Sequence, residues 1–372
     1  MAEPPPPVPE PRANPELIGH GAAERALLGA LRSGRLGHAW LLHGPRGIGK
    51  ATLAYRFARY LLAGGGGGEA SSLAVAPDHR AFRLVAQGAH PDLTVLEVPV
   101  DAAGRAKAEI PVDAVRAVTA ALQTTAAGER RVVVIDGAEA LNRNAANALL
   151  KLLEEPPGNA VLLLVSHQPG RLAATIRSRC AMLRLRPLGE DEVARGLARL
   201  RPELAEAETR ALARLARGSL GRAVTLAATG WLPLYQRLLA QLTGGGSPAA
   251  VAGRDALAAE LGRLAEARGV ETVAMLLQEA LGRLATAAVG RPGPPLFAGE
   301  AETLARLAAA APLDRWAVLW DKLARLPDRI EGLSLDRSQS LVHILSLFPT
   351  TARDPSQLPG GGSTAPAPPG GR

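Results

Sequence analysis

An α/β fold with a parallel sheet, followed by two all-helical regions, is what three features of this sequence predict. Short β-rich runs alternate with helical patterns through the first half of the chain. The β signal disappears from about Pro187 onward and helical spacing takes over. Between them, "LLHGPRGIGKATLAY", residues 41 to 55, places an apolar run, a glycine-rich turn, a lysine and a helix start in one line.

Both ends are rich in Pro and Gly and cannot bury enough apolar surface to offset ordering entropy, so residues 1–15 and 351–372 are expected to be disordered tails. The α/β domain is placed at 16–187. Its strands are Ala39–His43, Leu93–Glu97, Arg131–Ile135, Ala160–Val165 and Ala181–Leu185, each a β-branched or leucine-rich run bounded by turn residues. In Gly189–Arg217, Val193, Leu197, Leu200, Leu204 and Leu212 recur at near-helical spacing, and Pro202 divides the stretch into two helices. That region, 188–241, is read as a small helical lid. The glycine-rich stretch 242–253 is a linker, and 254–350 a second helical domain.

Composition sets limits on function. A chain of 372 residues exceeds one ordinary core, and 47% hydrophobic with 21% charged residues describes a globular protein. The start, "MAEPPPPVPEPRANP", has neither a basic segment nor an apolar core, so no signal peptide is expected. No apolar run reaches the roughly 18 residues of a membrane span. A cytoplasmic location without membrane contact follows as an expectation. The net charge of +8 invites a nucleic-acid reading, but four lysines stand against 39 arginines, alongside abundant Ala, Gly and Pro, the mark of a GC-rich coding bias. With 3% aromatic residues a base-stacking platform is not expected. Cys180 is the one cysteine, which permits neither an internal disulfide nor a multi-cysteine zinc site.

Gly44, Gly47, Gly49 and Lys50 fit the spacing of a phosphate-binding P-loop, in the required setting of strand before and helix after. Glycines let backbone N–H groups face phosphate oxygens, and the lysine adds charge at the β and γ phosphates. The alternative is a glycine-rich turn with a surface lysine. The next position should carry a hydroxyl for magnesium, but it is Ala51. Thr52 comes one residue late and, at about 100° of rotation per helical residue, points elsewhere. Val132–Ile135 deliver Asp136 to the carboxyl end of the sheet, where ligands sit in open α/β folds. Asp136 could hold Mg²⁺ through water; otherwise it is a turn residue after a buried strand. Gly137 follows it, with Glu139 nearby but on the wrong side of the turn.

Further on, "LNRNAANALLKLLEEPP", residues 141 to 157, carries an apolar stripe through Leu141, Ala145, Ala148, Leu149, Leu152 and Leu153, and Pro156-Pro157 stops the helix. These segments, with "LIGHGAAERALLGALRSGRLGHAWLLHGPRGIGK", "AHPDL" at 89 to 93 and "TIRSRC" ending at Cys180, resemble the AAA+ modules of bacterial clamp loaders over residues 17 to 226. Within that family the likeness is to the delta-prime subunits of DNA polymerase III. The resemblance implies an AAA+ P-loop domain, a lid and a C-terminal helical collar. It implies a subunit that assists ATP-driven loading of a sliding clamp at primed DNA, with motor and clamp-opening subunits as partners and mainly backbone contact to the DNA. Such members typically have a degenerate nucleotide site, so weak ATP or ADP binding is expected, Mg²⁺ only with nucleotide, and little ATPase or polymerase activity in the chain itself.

The family commonly carries a four-cysteine zinc module between the P-loop helix and the His-Pro-Asp segment. Gly64 to Gly88 contains no cysteine here, and His79 and His90 alone cannot rebuild that site, so no metal site is expected. In hydrolysing members a Glu follows the Walker B aspartate, where this chain has Gly137. By resemblance Lys50 and Asp136 are the nucleotide-site lysine and Walker B aspartate, Ser166 falls at sensor 1, and Arg222 lies near sensor 2, one place late. Ser166 is otherwise a strand-end hydroxyl and Arg222 a solvated helix residue. Arg179, flanked by Ser178 and Cys180, corresponds to the arginine presented to ATP on an adjacent subunit, an arginine finger in trans. Its alternative is an ordinary surface arginine. Two other classes remain open: an ATP-hydrolysing motor subunit or other AAA+ ATPase, and a free-standing nucleotide- or DNA-binding regulator.

Overall fold

A computed structural model describes residues 9–65, 71–99, 107, 109–123, 127–228, 230–243, 252–253, 256–257 and 269–324. The expected tails at 1–8 and 351–372, the segment 325–350 of the second helical domain, and 244–251 of the linker lie outside the described residues. The described residues fall into two compact units that separate at Thr229/Gly230.

The first unit is a three-layer α/β domain with three helices appended. Strands β1 (Ala39–His43), β2 (Leu93–Leu96), β3 (Arg131–Asp136), β4 (Ala160–Ser166) and β5 (Ala181–Arg184) form one sheet in the order β2-β3-β4-β1-β5. Every pair is parallel. The interiors of the central strands are apolar because both faces are covered. Trp40, Leu42, Val132, Val134, Leu163 and Val165 face one cluster, while Leu41, Val133, Ile135, Leu162 and Leu164 face the other. Helices α1 (Gly21–Arg32), α2 (Lys50–Leu62) and α3 (Arg80–Ala86) cover the first face. The second is covered by α4 (Val112–Gln123), α5 (Arg143–Glu154) and α6 (Ala174–Arg177). In α5 the residues buried are Ala145, Leu149, Leu152 and Leu153, four of the six in the stripe read from the sequence; Ala148 is half-buried, as is Leu141 ahead of the helix.

The lid begins with α7 (Glu190–Leu200) and α8 (Glu206–Leu215), on either side of Pro202 as expected, and ends with α9 (Leu220–Ala228). Here the structure differs from the sequence reading in two places. Residues 12–15, read as tail, are tied to the domain: buried Arg59 donates to the carbonyls of Arg12 (2.8 Å) and Asn14 (2.7 Å), and Arg56 to that of Pro15 (2.7 Å). Hydrogen bonds from charged donors supply what an apolar-poor segment lacks. The second difference is the lid boundary. Helix α10 (Trp231–Thr243), read as lid with its last two residues in the linker, belongs to the second unit.

That unit also contains α11 (Gly269–Ala288), α12 (Glu300–Ala310) and α13 (Leu313–Ala324). Its centre is a polar knot. Fully buried Glu300 accepts from Tyr235 of α10 (3.1 Å), from Arg283 of α11 (2.8 and 2.9 Å) and from the Leu296 amide (2.6 Å). Burying a carboxylate is tolerable only with such full pairing. No described helix is long and apolar enough to cross a membrane.

Candidate functional site

Strand β1 ends at His43 and the chain turns at once through Gly44, Gly47 and Gly49, all with positive φ (153°, 73° and 104°). No side chain could replace the first without collision: a Cβ on Gly44 would lie 2.3 Å from the Leu185 carbonyl oxygen. Gly49 ends the loop, and α2 starts at Lys50. This is the phosphate-loop geometry that the spacing predicts, at the carboxyl end of the sheet.

Lys50 is only 6% exposed, and its Nζ donates to the Pro45 carbonyl of its own loop at 2.7 Å. Burial lowers its pKa from 10.5 to about 8, against the pull of Asp136 and Glu139. Asp136 is shifted the opposite way: burial raises its carboxyl, Glu97 adds to this, and Lys50 opposes it. Lys50 and Asp136 therefore feel each other's charge.

Glu139 is a residue the sequence reading undervalued. It lies in a short 3₁₀ turn, Ala138–Ala140, after β3 and is closely paired with His167, just beyond β4. The His167 amide also donates to it, at 3.3 Å. Burial alone would raise its carboxyl, but hydrogen bonds from His167 and Ser166 outweigh that and hold it at about 2. Ser166, 1% exposed, also accepts from the Gln168 amide at 3.2 Å. The Ser166 hydroxyl thus braces the ends of β3 and β4.

Two further groups close on the loop. The His20 ring, before α1, hydrogen-bonds the Ile48 carbonyl at 2.6 Å. From the other side comes the start of α9, where the Gly221 amide donates to the Gly47 carbonyl at 2.8 Å. A Cβ on Gly47 would lie 2.4 Å from the Ser219 hydroxyl and 3.4 Å from the Arg222 nitrogen. The lid helix therefore rests on the loop backbone itself, and half-buried Arg222 is brought beside it. His20 lies within the "LIGHG" start of the long segment quoted above, and Gly221 directly precedes Arg222; neither position by itself foretells these contacts. Thr52 is half-buried in α2, one position past Ala51.

The loop backbone and Lys50 fit a phosphate group, provided the lysine leaves Pro45. The hydrolytic set does not fit: the position after the lysine is Ala51, the position after Asp136 is Gly137, and Glu139 is occupied by His167 and Ser166. His79 and His90 serve as local caps, accepting from the amides of Ala81 (3.1 Å) and Asp92 (3.2 Å). Asp92 in turn accepts from the Ala127 amide at 2.9 Å, which gives "AHPDL" a structural role.

Arg179 stands apart from all of this. It follows α6 and precedes β5, whose first residue Ala181 lies beside Trp40 near the start of β1; Arg184 lies beside His43 at its end. Arg179 is therefore at the amino edge of the sheet and the P-loop at the carboxyl edge. Its guanidinium is paired with Glu154 (2.6 Å), donates to the Thr175 carbonyl (3.1 Å), and is 37% exposed. Neighbouring Cys180 is buried, which raises its thiol to about 11 and leaves it inert.

A parallel five-stranded sheet, a glycine-rich loop after its β1 and a helical segment seated on that loop make up the first unit. Residues 19–189 match the family model described as DNA polymerase III, delta subunit. The chain is 49% identical over 149 residues to DNA polymerase III subunit delta′ of Pseudomonas aeruginosa, covering 38% of this chain and 41% of that protein. It is 38% identical over 202 residues to the delta′ subunit of Escherichia coli, covering 54% and 57%. Against the tau subunit of Escherichia coli it is 36% identical over 220 residues, covering 58% and 32%. The matched residues 19–189 coincide with the α/β domain. The matched part spans about half the length of those delta′ relatives or less.

Proposed function

We propose that this chain is a delta-prime-like subunit of a DNA polymerase III clamp loader, assisting ATP-driven loading of the sliding clamp onto primed DNA. Its partners are the motor and clamp-opening subunits, the clamp, and primed DNA met through the complex. In this reading the chain's own loop binds ATP or ADP weakly and hydrolyses neither, and Mg²⁺ enters only with nucleotide. Its contribution to catalysis is Arg179, offered to the γ-phosphate of ATP held by an adjacent subunit, where a guanidinium stabilises charge on the transferring phosphoryl group.

The observation that carries the reading is the separation of Arg179 from its own loop, at opposite edges of one sheet. A residue placed there has no route to this chain's phosphates, while its partial exposure leaves it open to a neighbour. The tau likeness keeps the motor reading in view, since identity of that order does not separate the two kinds of subunit. What favours the delta-prime role is the pairing of Ala51 and Gly137 with a Glu139 already committed to His167.

The test is a pair of reconstituted loaders, one with Arg179→Ala and one with Lys50→Ala in this chain, assayed for clamp- and DNA-stimulated ATP turnover and for loading. The proposal expects the first to be strongly impaired and the second to lose little. Wild-type loading with Arg179→Ala together with abolished loading in Lys50→Ala would make this chain the motor instead.

A further inference from the structure

We propose that Glu154 is a positioning residue for Arg179, fixing the guanidinium at the domain edge before a neighbouring subunit arrives. This rests on the reading of Arg179 as a group acting on an adjacent subunit's nucleotide. The acidic pair of the "LLEEPP" segment takes no part in the apolar stripe or in the proline helix stop.

Glu154 is the last residue of α5, where backbone carbonyls accumulate negative charge. A carboxylate is disfavoured at that position and a lysine favoured, as Lys151 in the same turn illustrates. Helix stability therefore gives no reason for a glutamate. Its surroundings do: Leu149, Leu152 and Leu153 are buried, which fixes the rotation of α5 and leaves Glu154 48% exposed at the rim. Its Oε1 lies 2.6 Å from Arg179 Nη2. The other anchor, the Thr175 carbonyl at 3.1 Å from Nη1, sits on α6, where Ile176 is fully buried. Both anchors thus belong to elements pinned into the core.

The contrast with Arg177, two residues earlier, is informative. That guanidinium donates to the carbonyls of Pro169 and Leu172, backbone groups of its own loop, as a structural arginine does. Arg179 instead leans on an exposed carboxylate and one carbonyl, which leaves further N–H groups of the fork for an incoming anion. An exposed ion pair adds little net stability. What it does supply is orientation, since a long, rotamer-rich side chain held in place beforehand has less freedom to lose in the assembled site.

The experiment uses reconstituted loaders carrying full-length chains with Arg179→Ala, Glu154→Ala, Glu154→Gln, or both alanines. Clamp- and DNA-stimulated ATP turnover is measured across ATP concentrations, with assembly and thermal unfolding checked for each variant. Glu154→Ala should lower kcat by about tenfold with KM for ATP unchanged, because a misplaced catalytic group costs rate while the neighbour's own loop still binds nucleotide. Glu154→Gln, which keeps the acceptor oxygen, should recover to within about twofold of wild type, the loss of charge assistance being small at an exposed site. The double variant should be no slower than Arg179→Ala alone. If Arg179→Ala is slow but Glu154→Ala runs at the wild-type rate, or faster, the positioning role is wrong and the finger reading stands. If Arg179→Ala itself runs at the wild-type rate, both fall. A double variant slower than Arg179→Ala alone would also overturn the proposal, by showing that Glu154 acts on something else.

Discussion

The two edges of one sheet are furnished in opposite ways. At the carboxyl edge, Lys50, Ser166 and Glu139 are buried and already partnered within the chain: the lysine with Pro45, the glutamate with His167 and Ser166, the loop backbone with Gly221. At the amino edge, Arg179 and Glu154 are partly exposed, and their pairing is one that solvent and a neighbour can both reach. Burial with internal partners rigidifies and seals, whereas exposure with a weak partner keeps a charge available. The difference teaches that one sheet can hold its charged groups sealed at one edge and accessible at the other.

The sharpest way to break this comparison is to remove the exposed charge. Arg179→Ala should leave folding of the chain almost unchanged, as surface substitutions usually do. It should lower stimulated ATP turnover of the assembled loader by about 10² or more; fingers supplied in trans contribute more than that in GTPases, and one site among several dilutes the effect. Equal turnover in both assemblies would erase the distinction between the edges.

The sealed edge should answer to shape instead of charge. Gly44→Ala combines a positive φ with a Cβ 2.3 Å from a backbone oxygen, so it should destabilise the first unit by about 3 kcal/mol, read as a shifted denaturation midpoint. A midpoint within error of wild type would mean that the loop is not held against β5 in solution.

Lys50 gives a finer measure through pH. Its folded pKa of about 8 is below its unfolded value near 10.5, so the unfolded chain binds more protons between those limits and stability must rise with pH across that window. The size is on the order of 2 kcal/mol after allowing for relaxation around the amine. Lys50→Met, which keeps the apolar stem, should flatten that rise. A slope unchanged by the substitution would show that the amine is solvated. Glu139 works in the other direction: its folded pKa is depressed to about 2, so its contribution is complete above its ordinary value of 4.5 and disappears as pH falls from there toward 2. Glu139→Gln should remove that acid limb.

The smallest expected effect is on the loader itself. Lys50→Ala in this chain should change clamp-loading rates by no more than about twofold, since the loop lacks the groups that orient metal and water. Abolished loading would return the chain to the motor class.

The strands, the P-loop spacing and the helix stops were legible because each depends on neighbours in sequence. Val132–Ile135 alternate between two faces whatever lies on them, glycine tolerates the left-handed turns at 47 and 49, and Pro156-Pro157 cannot continue a helix. That Ala51 follows Lys50 and Gly137 follows Asp136 could be read off single positions. What required the tertiary structure is every contact between distant segments. Parallel strands align their carboxyl ends, and only that alignment sets Glu139 against His167 and Ser166. Only the path of the lid brings Gly221 onto Gly47, and only the packing of α5 against α6 gives Glu154 its arginine. Placing α10 with the second unit likewise depended on Tyr235 meeting the buried Glu300. Periodicity tells which face of an element is apolar; it carries no information on which polar atom will stand opposite, because sheet order and helix packing decide that for the whole chain at once.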